Sequence, residues 1–241
     1  MTIGRSSLAG GRPQARDDLP VPAALRRLDF FRYLTAEARR DFEEMATRRQ
    51  FQPKERIYSQ DDRRQLLFRI VSGRVWLSYS RPDGREHLSL FTGPGECFGF
   101  SSLLDGQGLP QSATARSEVN VQLLSKAALD LLRARHRSVD DAIIRSMLCD
   151  IRILISHLSE ASISDPPSRL AHRLLLYALP GNQGRPVVRL TQSELAGVFG
   201  VSRQTVNKLL GGFEEEGLIK RSYGAVHLLD VQRLRYLAEG I

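Results

Sequence analysis

The sequence predicts an α+β protein in three parts: an N-terminal antiparallel β-roll, a long central helix and a C-terminal winged helix-turn-helix. Three observations predict it. Apolar residues alternate with a period of two between Phe51 and Leu124, and they step in heptads from Ile144 to Ala161. Two capped amphipathic segments then meet at a glycine-bearing turn between Leu190 and Ile219. The expected boundaries are a flexible tail over 1–22, the roll over 23–137, the long helix over 138–164 and the helix-turn-helix unit over 165–241.

Composition sets the frame. The 241 residues are 41% apolar and 26% charged, enough to bury the core of one large domain or two smaller ones. No run approaches the roughly 18 apolar residues that would suggest a membrane span. The start of the chain carries scattered Arg, Gly, Ser and Pro rather than an apolar stretch, so no secretory leader is expected. Two cysteines, Cys97 and Cys149, cannot supply a disulfide framework or a four-thiolate cluster, and a reducing cytoplasm fits them. The net charge of +8 and pI near 10.0 favour a polyanionic partner.

From about Ala23 to Arg49 the pattern is helical: Leu25, Leu28, Phe31 and Leu34 recur at three-residue steps, followed by Phe42 and Met45. The period then changes to two. "LLFRIVSGRVWLSYS" alternates around Gly73, and "RPDGREHLSLF" sets Asp83-Gly84 between extended stretches, a strong hairpin signal. "TGPGECFGF" and "LLDGQGLP" add turns marked by Gly and Pro. Short strands at this spacing predict an antiparallel roll or sandwich.

The long helix begins at Lys126 or at Val139 and runs to about Ser162. Ile144, Met147, Ile151, Leu154, Leu158 and Ala161 alternate steps of three and four, a seam fit for pairing with a second copy. Leu148 and Ile155 widen the stripe, so it can face the roll as well as a symmetry mate; an ordinary core helix would carry the same pattern. "SDPPS" then stops the helix, because proline lacks the amide donor and restricts the residue before it.

In "LTQSELAGVFGVSRQTVNKLLGGFEEEGLI", Thr191 and Glu194 have capping-box spacing, and Leu190 can staple against Leu195. A second helix starts at Ser202, with Val201 and Val206 spaced as its staple. At about 100° per residue from Arg203, Asn207 lies near 40°, Gln204 near 100° and Lys208 near 140°, while Val206, Leu209, Leu210 and Phe213 fall between about 240° and 340°. One face is core. The other carries the side chains that read base edges: Arg for guanine, Asn and Gln for adenine, Lys for guanine or phosphate. Ser202 places amide donors toward a phosphate, and Gly211, mid-face, permits close approach. "GLIKRSYGAVHLLD" alternates around Tyr223-Gly224 like a hairpin wing. From Pro166 to Ile241 there are ten Lys or Arg against six Asp or Glu, the balance that DNA binding requires. The interface expected on double-stranded DNA therefore comprises Thr191, Gln192, Ser202, Arg203, Gln204, Thr205, Asn207, Lys208, Lys220, Arg221 and Tyr223.

These residues resemble the Crp–Fnr family of bacterial transcription regulators, over nearly the whole chain from about Phe30. The helix-turn-helix stretch carries the specific part, and "IVSGRVWLSYSRPDGREHLSLFTGPGECFGF" is similar to the family's sensor roll. The resemblance implies a cyclic-nucleotide-binding-like jelly roll, a dimerisation helix and a winged helix-turn-helix. It also implies a homodimer on a two-fold-related site with half-site centres about 34 Å apart, and RNA polymerase as a partner if the protein activates. Base reading would fall to Arg203, Gln204 and Lys208, with Ser202 on phosphate. Gln204 stands where the cyclic-AMP receptor branch has Glu, which shifts that position from cytosine toward adenine.

The cyclic-AMP contacts do not carry over. The ribose-binding Glu aligns with Phe100, the phosphate-binding Arg with Gln111, and the purine-contacting positions with Leu154 and Ile155; Ser112 alone remains. A phosphate without its guanidinium forgoes a charge-assisted hydrogen bond of about 1.5–3 kcal/mol. An iron–sulfur cluster lacks thiolates. Haem stays open, with His87, His157 or Cys97 as candidates, as does Cys149 as a thiol sensor. Phe98, Gly99, Phe100, Ser101, Ser102, Gln111 and Ser112, with Leu103, Leu104, Leu154 and Ile155, either line an effector pocket or fill it. Two other classes stand beside the regulator: an enzyme using the roll as an allosteric module, for which no nucleophile–base or metal-ligand set appears, and a non-specific DNA-binding protein.

Overall fold

The computed structural model describes residues 29–80, 86–163, 165–181 and 185–239, with the side chains of 86–90, 157 and 159–163 outside the description. The expected tail, Leu25, Leu28 and the Asp83-Gly84 turn lie outside the described residues. Phe30–Tyr33 forms a 3-10 turn capped by Asp29, whose carboxylate accepts the Phe31 N–H at 2.9 Å. The same carboxylate accepts from Arg69 Nη2 at 3.0 Å. That guanidinium lies 3.6 Å over the Phe31 ring and donates through Nη1 to Gln122 Oε1 at 2.9 Å. Paired and stacked, a largely buried cation becomes a tether between the entering chain and the roll. Helix α1 (Ala36–Met45) follows, with Thr35 as its cap.

The roll consists of β1 (Thr47–Phe51), β2 (Arg56–Tyr58), β3 (Leu66–Ser72), β4 (Val75–Ser80), β5 (Glu86–Thr92), β6 (Cys97–Phe98), β7 (Ser112–Ala115) and β8 (Val119–Ser125). They make two antiparallel four-stranded sheets, ordered β1-β8-β3-β6 and β2-β7-β4-β5. Phe51, Phe68, Ile70, Val75, Leu77, Val119 and Val121 point into one core, as the period-two pattern requires. Gly73 turns β3 into β4 at φ +86°; a Cβ there would lie 2.1 Å from the Glu118 carbonyl oxygen, so no side chain fits. Strands β4 and β5 pair through Ser80↔Glu86, the hairpin expected around Asp83-Gly84.

Between β6 and β7 the chain forms α2 (Phe100–Asp105), where the sequence had suggested only turns. Helix α3 (Lys126–Arg135) ends at His136, and α4 (Arg137–Ile163) begins at once, so the long helix is two helices with an elbow. His136 Nε2 lies 2.8 Å from Asp41 Oδ2 at that elbow, and this hydrogen bond holds the Asp41 carboxyl below its ordinary range. A second core joins Phe30, Phe42, Phe100, Leu129 and Leu132 to Val139, Ala142 and Ile143 of α4.

Asp165 caps α5 (Pro166–Leu176), accepting the Ser168 N–H at 2.7 Å. "SDPPS" thus ends one helix and starts the next; proline at the first helical position costs nothing, since its missing donor is unsatisfied there anyway. The remaining elements are β9 (Val187–Val188), α6 (Gln192–Phe199), α7 (Arg203–Glu215), β10 (Ile219–Ser222), β11 (Ala225–Leu228) and α8 (Val231–Glu239). Strands order β10-β11-β9, and α5 packs on α8. The chain divides into two compact units, one holding Pro22–Ser164 with Ser193–Val206, the other Asp165–Gln192 with Asn207–Ile241. No helix among the described residues is long and apolar enough to cross a membrane.

Candidate nucleic-acid interface

Helix α6 ends at Gly200, whose φ of +69° reverses the chain; the Val201 N–H returns to the Ala196 carbonyl at 3.2 Å. Ser202 then caps α7. Its hydroxyl accepts the Thr205 N–H at 3.1 Å and lies 2.8 Å from the Thr205 hydroxyl. Because α7 starts there, Val206, Leu210 and Phe213 turn inward and are buried, while Arg203, Gln204, Thr205 and Lys208 are exposed together on the opposite face. Leu190 and Leu195, the expected staple of α6, are both buried. Glu194 is buried in the first turn of α6 and ion-pairs with Arg116 of the same unit.

Not every expected contact residue stands on the open face. Asn207 is half-buried, with its Oδ1 enclosed and without a hydrogen-bond partner among the described residues. The wing forms as a two-residue hairpin, in which Ile219 pairs with Leu228 and Lys220 with His227. Tyr223 is fully exposed at its tip, and Lys220 is exposed on its outer side. Arg221 is exposed but engaged: its N–H donates to Glu214 Oε1 at 2.8 Å and its Nε to Glu214 Oε2 at 2.6 Å. These bonds, the backbone one foremost, hold the Glu214 carboxyl below its usual range. Thr191 is exposed and Gln192 half-buried at the start of α6.

The residues expected around an effector are dispersed. Phe98 stacks on Phe68 at 4.9 Å within the roll core, whereas Phe100 joins the second core beside Phe30. Gly99 at φ +92° turns the chain between them, and a Cβ there would meet the Leu66 carbonyl oxygen at 2.6 Å. Ser102 Oγ donates to the Arg64 carbonyl at 2.8 Å, and Ser112 Oγ accepts the Gln60 N–H at 2.9 Å. Ser101 and Gln111 are half-buried. Leu154 and Ile155 are 58% and 56% exposed on α4, so within one chain they complete no pocket with these residues.

Ile144, Met147, Ile151 and Leu158 share that exposure, and so does Leu148. The roll is faced instead by Val139, Ala142 and Ile143, one turn before the heptad seam starts at Ile144. Cys97 is buried and its thiol pushed up by desolvation, which disfavours the thiolate form. The side chains of His87 and His157 lie outside the described residues. Among the described residues no group of three His, Cys, Asp or Glu is placed to hold a metal.

Two family models match the chain: a Crp-like helix-turn-helix domain over residues 168–237 and a cyclic nucleotide-binding domain over 48–136. The chain is 32% identical over 183 residues to the CRP-like cAMP-activated global transcriptional regulator of Mycobacterium tuberculosis, covering 74% of this chain and 82% of the relative. It is 29% identical over 185 residues to the cyclic AMP receptor protein of Thermus thermophilus, covering 77% and 85%. Among solved structures, a CRP-family transcriptional regulator from Thermus thermophilus aligns with TM-score 0.65 at 28% identity, over 79% of this chain and 96% of the other. FixK2 from Bradyrhizobium japonicum aligns with TM-score 0.70 over 80% and 96%, and at 22% identity shares the fold.

Proposed function

Because the chain belongs to the CRP/FNR family of transcriptional regulators, whose helix-turn-helix binds DNA, we propose that it acts as a homodimer reading a two-fold-related site. Each protomer lays α7 in a major groove, with half-site centres about 34 Å apart. Arg203, Gln204 and Lys208 read base edges, and the amides capped by Ser202 meet a phosphate. The two copies pair along α4 through Ile144, Met147, Ile151, Leu154 and Leu158. What carries the reading is the exposed set Arg203, Gln204, Thr205 and Lys208, fixed outward by the Ser202 cap and the buried Val206, Leu210 and Phe213 behind it. A solvated face with no partner has no need of that residue set above a net basic segment.

Two of the similar proteins are named for cyclic AMP; we infer that this chain does not take it. Phe100 and Gln111 stand at the positions of the acidic and cationic contacts, Phe100 is buried among apolar side chains, and Ser112 is already bonded to the Gln60 amide. RNA polymerase is the further partner where the bound site lies so as to activate. The test is selection of bound fragments from random duplex DNA, followed by footprinting: two protected half-sites one helical turn apart are expected, and equal retention of scrambled duplex defeats the proposal.

A further inference from the structure

The wing strand β10 alternates like any strand, and its register decides what its cations can reach. Ile219 and Arg221 share one face, opposite Leu228 and Val226, which are buried; Lys220 and Ser222 share the other, opposite His227 and Ala225. Arg221 therefore leans to the inner face of the wing, over the recognition helix, where both its N–H and its Nε end on the Glu214 carboxylate. Glu214 lies in the last turn of α7, beyond the turns that carry Arg203, Gln204 and Lys208. One carboxylate thus accepts from a backbone donor and a side-chain donor of the same residue, fixing both the position and the tilt of the strand.

We propose that Glu214 and Arg221 are positioning residues: a strut that sets the wing at a fixed distance from α7, so that Lys220 and the Tyr223 tip meet the DNA flanking the bases read by α7. This inference rests on the DNA-reading function proposed above. Arg221 then makes no phosphate contact, and Glu214 aids DNA binding although its charge repels the polyanion. That last consequence separates a strut from bulk electrostatics. Removing an acidic charge near DNA strengthens binding when charge alone acts, whereas breaking a strut weakens it.

The experiment uses the full chain and a duplex bearing the site it selects, with affinity measured across a salt series and with hydroxyl-radical footprints. Glu214→Gln, Glu214→Asp and Arg221→Ala are each expected to weaken binding about threefold to tenfold, the range of a partly exposed charged pair. Base preference at the α7 positions stays as in the unmodified protein, while protection beneath the wing fades. Glu214→Asp keeps the charge and loses the reach, so its weakening reports geometry. In all three the slope of log affinity against log salt falls toward that of Lys220→Ala, about one phosphate contact, because the Lys220 contact is lost with the wing. Tighter or equal binding by Glu214→Gln, or a fall in salt slope in Arg221→Ala that neither Glu214 variant shares, overturns the strut while leaving the DNA-reading function standing. If the unmodified protein selects no site, both fall together.

Discussion

The rings of Phe30 and Phe100 pack with centroids 6.1 Å apart, and the Phe42 ring lies 6.2 Å from Phe30. Phe100 is buried in this cluster, so a ribose hydroxyl brought to it would meet apolar side chains. The expected outcome is that cyclic AMP changes neither the thermal midpoint nor the DNA affinity. A ligand at a hundred times its dissociation constant stabilises a protein by about 2.7 kcal/mol, which a melting curve resolves easily. A midpoint that climbs with cyclic AMP concentration would show that the roll opens to admit it.

Arg203 and Gln204 stand on the exposed face in the first turn of α7. Arg203→Ala should lose about 1–3 kcal/mol of discrimination at one base pair of each half-site, the worth of a bidentate guanine contact. Gln204→Glu should move preference at its position from an adenine toward a cytosine. Sequencing the fragments each variant selects checks both. Retention of the parental consensus by Arg203→Ala would remove that residue from the base-reading set.

Ile151 and Leu154 are exposed in the single chain, at 50% and 58%, yet both are large aliphatic residues on a 27-residue helix. Contiguous exposed apolar surface of this kind marks an interface. Ile151→Asp or Leu154→Asp should leave each chain folded, since neither side chain belongs to a core. Sedimentation should shift from dimer to monomer, and the footprint should shrink to a weakly held half-site. Unchanged sedimentation mass in both variants would place the dimer contact elsewhere.

How much of this was readable in advance follows from where each signal is local. The β-roll announced itself through alternation and through Gly73, and α7 through the Ser202 start and the spacing of Val206, Leu210 and Phe213. Helix α2 was missed because six residues between two glycines are too few for a 3.6-residue period to stand out from a turn. The sequence leaves the start of the long helix open between Lys126 and Val139; α4 begins at Arg137, and the contact of His136 with Asp41, 95 positions away, is a non-local feature of the break that periodicity does not carry. Helix α5 carries a legible start in Asp165 followed by proline, although the same prolines by themselves predict only a stop. The pairing of Arg221 with Glu214 is non-local across a turn; strand alternation alone would have put Arg221 on the face opposite Lys220. The family resemblance implies that Leu154 and Ile155 join the effector contacts, but both are exposed on α4 in the single chain, and periodicity does not distinguish the two placements.

Asp165 links the local sequence to pH dependence. Its carboxylate accepts the Ser168 N–H at the start of α5, and this bond, with the Ser168 side chain second, holds its pKa below the ordinary carboxylate value. A folded-state pKa lower than the unfolded one means that the unfolded chain binds the proton more readily. The stabilisation is therefore complete above the unfolded value and is lost as pH falls through the lower folded value. Asp165→Ala should cost about 1 kcal/mol at neutral pH, the usual worth of an N-cap, and the gap to the unmodified protein should narrow as the solution is acidified below the ordinary carboxylate range. Asp165→Asn keeps a capping oxygen without a titrating group, so its smaller gap should vary less with pH. Denaturant unfolding at fixed protein concentration across an acid series reads all three. A gap for Asp165→Ala that stays constant down to the acid limit would mean that the cap acts through shape alone and that its charge contributes nothing.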